Sequence, residues 1–368
     1  MKKLCLAMVL VLMFSFLLMG CTKEEPVKQE EPKSEASNNE SVDNKTDEPT
    51  EFVVSTWGYN EDKLRKNIFE PFEKANNVKI VLEVGNNADR LNKIRVSENS
   101  KIDVIFLANS FAIQGVSEGL FEEINRDNIP NLNQIYDLAK APLGEKYGPA
   151  YTLNRTGIVY DSDMVDKKIE SWKDLWNKEF ESNASIPEIT TTAGPSMVIM
   201  AANTVGADAL EDSDKAFEAL GKLKPNLVKT YGKSSEIVNM FAQGEIAVAA
   251  VQDFAFGRIK DAVPTAEWVD PQDGAFANLN TINIVKGTKN KEIAEKFIDW
   301  CLSEEVQKAN AIDKVDSPVN VNVKLSEEEA EGLTYGKELI NSLKVVDWVK
   351  VNELKTDWID RWNREVIN

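Results

Sequence analysis

Apolar and β-branched residues recur along this chain in short runs bounded by turn formers. Phe52–Trp57, Lys79–Val84, Asp103–Ala108, Gly157–Tyr160, Ser185–Thr190, Ile246–Val251 and Thr281–Val285 have the length and composition of strands. Between them the apolar period becomes helical. Residues 62–75 place Leu64, Ile68, Phe72 and Ala75 on one face, with Pro71 expected to kink or split the helix. Residues 234–243 begin at a Ser cap and align Ile237, Val238 and Phe241. Residues 292–302 align Ile293, Phe297 and Cys301, which makes that thiol a core residue. Strands alternating with helices predict an α/β protein whose sheets are mostly parallel and flanked by helices. Ligands of such sheets collect beyond the carboxyl ends of the strands, so those loops hold the candidate functional residues.

The first residues read as an address. Lys2 and Lys3 precede an apolar run, Leu4 to Leu18, that only Ser15 interrupts, and Met19-Gly20-Cys21 follows. The run is short for a membrane span and matches a signal peptide. A small residue ahead of Cys21 predicts a bacterial lipoprotein, cleaved after residue 20 and anchored by lipid on Cys21. A plain signal peptide or membrane anchor is the alternative. Residues 22–51 carry four Lys against ten Asp plus Glu, without apolar periodicity, and read as a disordered acidic tether. Its flexible reach is about 30 Å.

Composition narrows the chemistry. The 368 residues contain no histidine, which removes Ser-His-Asp and Cys-His nucleophiles and imidazole metal sites. A formal net charge of −18 argues against a nucleic-acid partner. Cys5 leaves with the signal and Cys21 takes lipid, so Cys301 has no intrachain disulfide partner.

The strand-end loops supply the candidates. Trp57 and Tyr59 flank Gly58, with Asn60 beyond, and offer either a stacking wall or a cap on the core. Asn109 and Ser110 orient hydrogen bonds or serve as loop and cap residues. In Thr190-Thr191-Thr192-Ala193-Gly194-Pro195-Ser196, Pro195 suits a helix start whose free N–H groups favour an anionic or polar oxygen. There Thr191, Thr192 and Ser196 are ligand candidates, Thr192 also a plain cap. Asp253 is the candidate partner of a ligand amine, or a buried partner for a neighbouring loop. Asn278 and Asn280 share one side of an extended segment. Arg155 is poised for a ligand carboxylate or phosphonate, or for a structural ion pair.

Ser171-Trp172-Lys173-Asp174-Leu175-Trp176, together with the signal, the Trp57 loop and the Thr190–Ser196 turn, resembles the substrate-binding proteins of ABC importers, closest to the spermidine/putrescine-binding group. The resemblance spans nearly all of residues 52–350. It implies a two-lobed periplasmic-binding-protein fold, type II-like, that closes on one small solute. It implies a first lobe of residues 52–155 and 276–325, a second of 156–275, and C-terminal helices, 326–368, packed across both. It also implies permease and ATPase partners, a monomer and no cofactor or metal. Polyamine binders clamp amines with carboxylates, and here the pattern departs. The paired acids of the turn read Thr192 and Ala193, a third reads Ser196, a Trp-x-Asp element reads Asn278-Leu279-Asn280, and an expected Trp reads Gln252. A small polar solute, neutral, zwitterionic or singly charged, is therefore expected; polyamine binding proper is the alternative. A carboxylate-dependent hydrolase and a surface lipoprotein without transport are the competing classes.

Overall fold

The computed structural model describes residues 48–97 and 100–367; the signal peptide, Cys21 and nearly all of the tether lie outside the described residues. Nine strands form one mixed sheet: β1 (Thr50–Thr56), β2 (Val78–Val84), β3 (Val104–Ala108), β4 (Ala150–Asp161), β5 (Ala184–Pro187), β6 (Leu227–Tyr231), β7 (Val248–Gln252), β8 (Ala266–Val269) and β9 (Phe276–Ile284). The order is β2-β1-β3-β9-β4-β7-β5-β6, with β8 also on β4. β1 begins two residues inside the segment expected as tether.

Each end of the sheet has parallel pairs, β1 with β2 and β3, and β5 with β6 and β7. The centre departs from the expected parallel order, because β4 and β9 run antiparallel to each other and to their other neighbours. The reason is that these two strands cross between two cores. β4 gives Tyr151 and Leu153 to a core built on Phe52, Phe72, Phe106 and Phe297, and Ile158 and Tyr160 to one built on Trp172, Phe217, Trp358 and Trp362. β9 likewise gives Leu279 and Ile282 to the first and Phe276 to the second. The antiparallel register therefore belongs to the crossing.

Pro71 does not break its helix. It lies at the start of the Glu70–Asn76 segment, directly after a π-helical turn over Arg65–Phe69, where the wider turn accommodates the missing donor. The motif Ser171–Trp176 is a 3₁₀ helix closed by a Ser171/Asp174 capping box, with Trp172 buried and its Nε1 donating to Gly274 O at 3.1 Å. Its work is structural. Cys301 is buried in the first core. The Trp348–Arg361 helix buries Trp348, Val351 and Trp358 in the second core, while Asn352 Nδ2 donates 2.9 Å to Ser110 O on the other side.

Candidate functional site

Along β4 the side chains alternate, so Thr152, Asn154 and Thr156 share one face. Opposite them in register stand Asn280 and Asn278 of β9, and Gln252 of β7 faces Thr156. The crossing between the two cores is thus floored by amides and hydroxyls. Gln252 Nε2 donates to Asn154 Oδ1 at 3.2 Å and Asn278 Nδ2 to Thr156 Oγ1 at 2.9 Å. Asn278 Oδ1 has no partner although buried, and Asn280 stays partly exposed. A buried polar oxygen without a donor is costly and marks a place where a ligand or water supplies one.

Arg155 points to the other face. Nε and Nη2 grip both oxygens of Asp270 at 2.5 and 3.1 Å, and Nη1 reaches Asp253 Oδ2 at 3.3 Å, Leu333 O at 2.9 Å and Thr334 Oγ1 at 3.0 Å. The guanidinium also stacks on Trp268. Of its two sequence readings, the structure realises the ion pair. Asp253 is 2% exposed; Oδ2 accepts from Thr334 and Arg155, whereas Oδ1 has no partner. Burial raises its pKa to about 6, against the opposing pull of Arg155 and Thr334.

A second carboxylate, Asp316, is near enough to feel the charge of Asp253 and was not legible in the strand-end pattern. Its surface is partly exposed, yet protein surrounds it closely enough that burial raises its pKa to about 7; the polar Thr152 hydroxyl nearby, itself donating to Ser317 O, opposes the rise and the Asp253 charge adds to it. Tyr59 belongs to the same neighbourhood. Burial raises its pKa, Arg258 lowers it and Asp316 raises it further. The Tyr59 ring stands edge-on to Phe254, and Arg258 lies over its face, 4.5 Å from the centroid. Trp57 is half-buried with Arg90 against its ring.

The other candidates divide into those facing this region and those held by their own turns. Asn60 takes a left-handed conformation, φ 51°, and its carbonyl accepts from Leu64 N. Asn109 and Ser110 are buried at the start of the Asn109–Ser117 helix, Asn109 Oδ1 without a partner. The helix N-cap is Ala193, without a side-chain cap, and Thr191 rather than Thr192 ties the turn before it: its hydroxyl donates to Glu188 O at 2.7 Å and accepts from Gly194 N at 3.1 Å. Thr192 is partly exposed, and Ser196 is fully buried with Oγ unpartnered. The Gly194 requirement is internal, since a Cβ there would stand 2.1 Å from Glu188 O. Among the described residues no three acidic or thiol groups cluster as a metal site.

A family model described as a bacterial extracellular solute-binding protein matches residues 67–333. This chain belongs to that family. As an extracellular solute-binding protein it resembles a solved ABC transporter structure from Clostridium perfringens, with 48% identity, 86% of this chain and 99% of that one covered, and a TM-score of 0.79. Spermidine/putrescine-binding periplasmic protein 1 of Haemophilus influenzae is 23% identical over 294 residues, 78% of this chain and 77% of that protein. A Salmonella typhimurium protein provisionally named for 2-aminoethylphosphonate binding is 25% identical over 310 residues, 80% and 86% of the two chains. Solute-binding proteins of this family take up small solutes for ABC permeases and are not enzymes. The fold, a mixed α/β sheet with flanking helices in a two-lobed arrangement, agrees with the expectation from sequence.

Proposed function

We propose that this chain is the lipid-anchored receptor of an ABC importer, capturing a small polar organic solute that carries an ammonium group. The observation that carries the reading is the polar crossing floor beside Asp316 and the unpartnered Oδ1 of Asp253. Asp316, which has no ion pair among the described residues, and the free Oδ1 of Asp253, whose Oδ2 faces Arg155, accept one ammonium, while amides of Asn154, Gln252, Asn278 and Asn280 orient polar groups along the solute. Trp57, Tyr59 and Phe254 form its aromatic wall. Arg155 stays in its ion pairs and leaves the solute to the other face of β4. Relatives named for spermidine/putrescine and 2-aminoethylphosphonate both recognise amines by name, which supports the amine and leaves the rest of the solute open.

The lipid on Cys21 and the acidic tether would hold the receptor at the outer face of the membrane, within reach of the permease. Mass spectrometry of the exported chain tests the anchor by finding, or failing to find, a diacylated Cys21. For the solute, a thermal-shift screen of amino-acid derivatives, phosphonates, vitamins and polyamines is decisive. A ligand at about 100 times its dissociation constant stabilises by about 2.7 kcal/mol. A screen in which no small solute raises the melting temperature overturns capture.

A further inference from the structure

Arg90 is a buried cation whose hydrogen-bond partners are all neutral. It is 1% exposed, with Nε 2.9 Å from Gly85 O, Nη1 3.1 Å from Ser55 O and 2.5 Å from Phe106 O, and Nη2 3.4 Å from Asn87 Oδ1. Its acidic neighbour Glu83 is already paired with Lys93. Burial lowers the Arg90 pKa to about 10, with Tyr151 and Glu83 opposing, so the charge persists at neutral pH. The guanidinium lies 4.7 Å from the centroid of the Trp57 ring.

We propose that Arg90 is a specificity-determining residue of the solute cleft, restricting the ligand to a single positive charge by holding a fixed cation against Trp57. The proposal rests on the amine-solute reading above and narrows it. An indole face attracts cations through its quadrupole, and Arg90 already occupies one face. An ammonium on the opposite face would meet a like charge across the ring. Two unit charges about 9 Å apart at an effective dielectric of about 20 repel by about 1.8 kcal/mol, which is about twentyfold in affinity. A methylene, carbonyl or anionic group at the same place meets no such opposition. The Asp316 end therefore takes the ammonium and the Trp57 end takes an uncharged or anionic portion. The ligand class is a monoamine, best of all a zwitterion aligned with that gradient, and a diamine is disfavoured.

The test compares two probes of similar length, 4-aminobutanoate and 1,4-diaminobutane, by isothermal titration of the wild type, Arg90→Gln and Arg90→Lys. The wild type is expected to prefer the zwitterion at least tenfold. Arg90→Gln should reduce that ratio about twentyfold, and Arg90→Lys, which restores the charge without the fork, should retain most of it. A role confined to holding the strands would weaken both probes alike and leave the ratio unmoved, which overturns the proposal. If Arg90→Gln does not fold, the wild type decides: a diamine bound as tightly as the zwitterion overturns it. Binding of neither probe overturns the single-ammonium class as well, while another solute found in the broad screen would leave the importer reading standing.

Discussion

The ring of Tyr59 stands 6.3 Å from that of Phe254, inclined at 68°. Tyr59 follows β1 and Phe254 follows β7, so the pair joins the loops of two sheet ends that share no hydrogen bonds with each other. Edge-on pairs of this kind contribute about 0.5–1.5 kcal/mol beyond their buried area. Separation of the two loops would break the contact.

Phe254→Ala should therefore weaken solute affinity about three- to tenfold, mainly through faster dissociation, with little change in melting temperature because the ring is exposed when unpaired. Stopped-flow release of bound solute measures it. An unchanged release rate would show that the pair takes no part in holding the solute.

Asp316→Asn should abolish most binding of an amine solute, a loss of at least tenfold by isothermal titration, while the protein remains folded. Retained affinity would place the ammonium elsewhere.

The same substitution has a pH signature. Asp316 and Asp253 titrate at about 7 and about 6 because burial disfavours their charged forms. The folded chain then holds protons that the unfolded chain has released, so the stability from these groups is present at low pH and lost as pH rises toward 7. Asp316→Asn should match the wild type below about pH 4, where the unfolded carboxyl is protonated too, and exceed it at pH 8, by about 1–2 kcal/mol given its partial exposure. Differential scanning calorimetry across that range checks the sign. Amine affinity of the wild type should fall below about pH 7, where Asp316 takes its proton.

Arg155→Met should cost about 3–5 kcal/mol in urea unfolding, because it leaves Asp253 buried without its cation. Arg155→Lys should recover only part of this, since an ammonium cannot reproduce the two-point grip on Asp270.

Gly194→Ala should destabilise by about 1–3 kcal/mol, as its Cβ would be driven into the backbone at Glu188. A fully stable variant would show that the turn relaxes.

The apolar runs located seven strands because those strands bury one or both faces in a core. They missed β6, whose Val228 and Lys229 are exposed, and β8, four residues long with Glu267 turned outward. They also found only the far end of β4: its first half alternates Thr152, Asn154 and Thr156 with Tyr151, Leu153 and the charged Arg155, so no apolar run marks it. Asp316 escaped for a different reason. It follows the Glu304–Ile312 helix, not a strand, and reaches the crossing through a turn in which Lys314 takes φ 54°. Spacing along the chain carries no trace of such a return. Arg155 and Asp253 were visible as charged strand-end residues, but which of them would pair with the other depends on Asp270 and Thr334, more than eighty residues from Asp253 in the latter case.

The two shared strands also bear on how the chain is made. Phe52 packs 5.5 Å from Phe297, and the core around Trp172 is completed by Trp358 and Trp362. Neither core can be closed by a nearby stretch of sequence; each waits for the last third of the polypeptide. During synthesis and export the early aromatic residues must stay unassembled until that final portion arrives. Truncation ahead of residue 358 should consequently leave an aggregation-prone product rather than a working half.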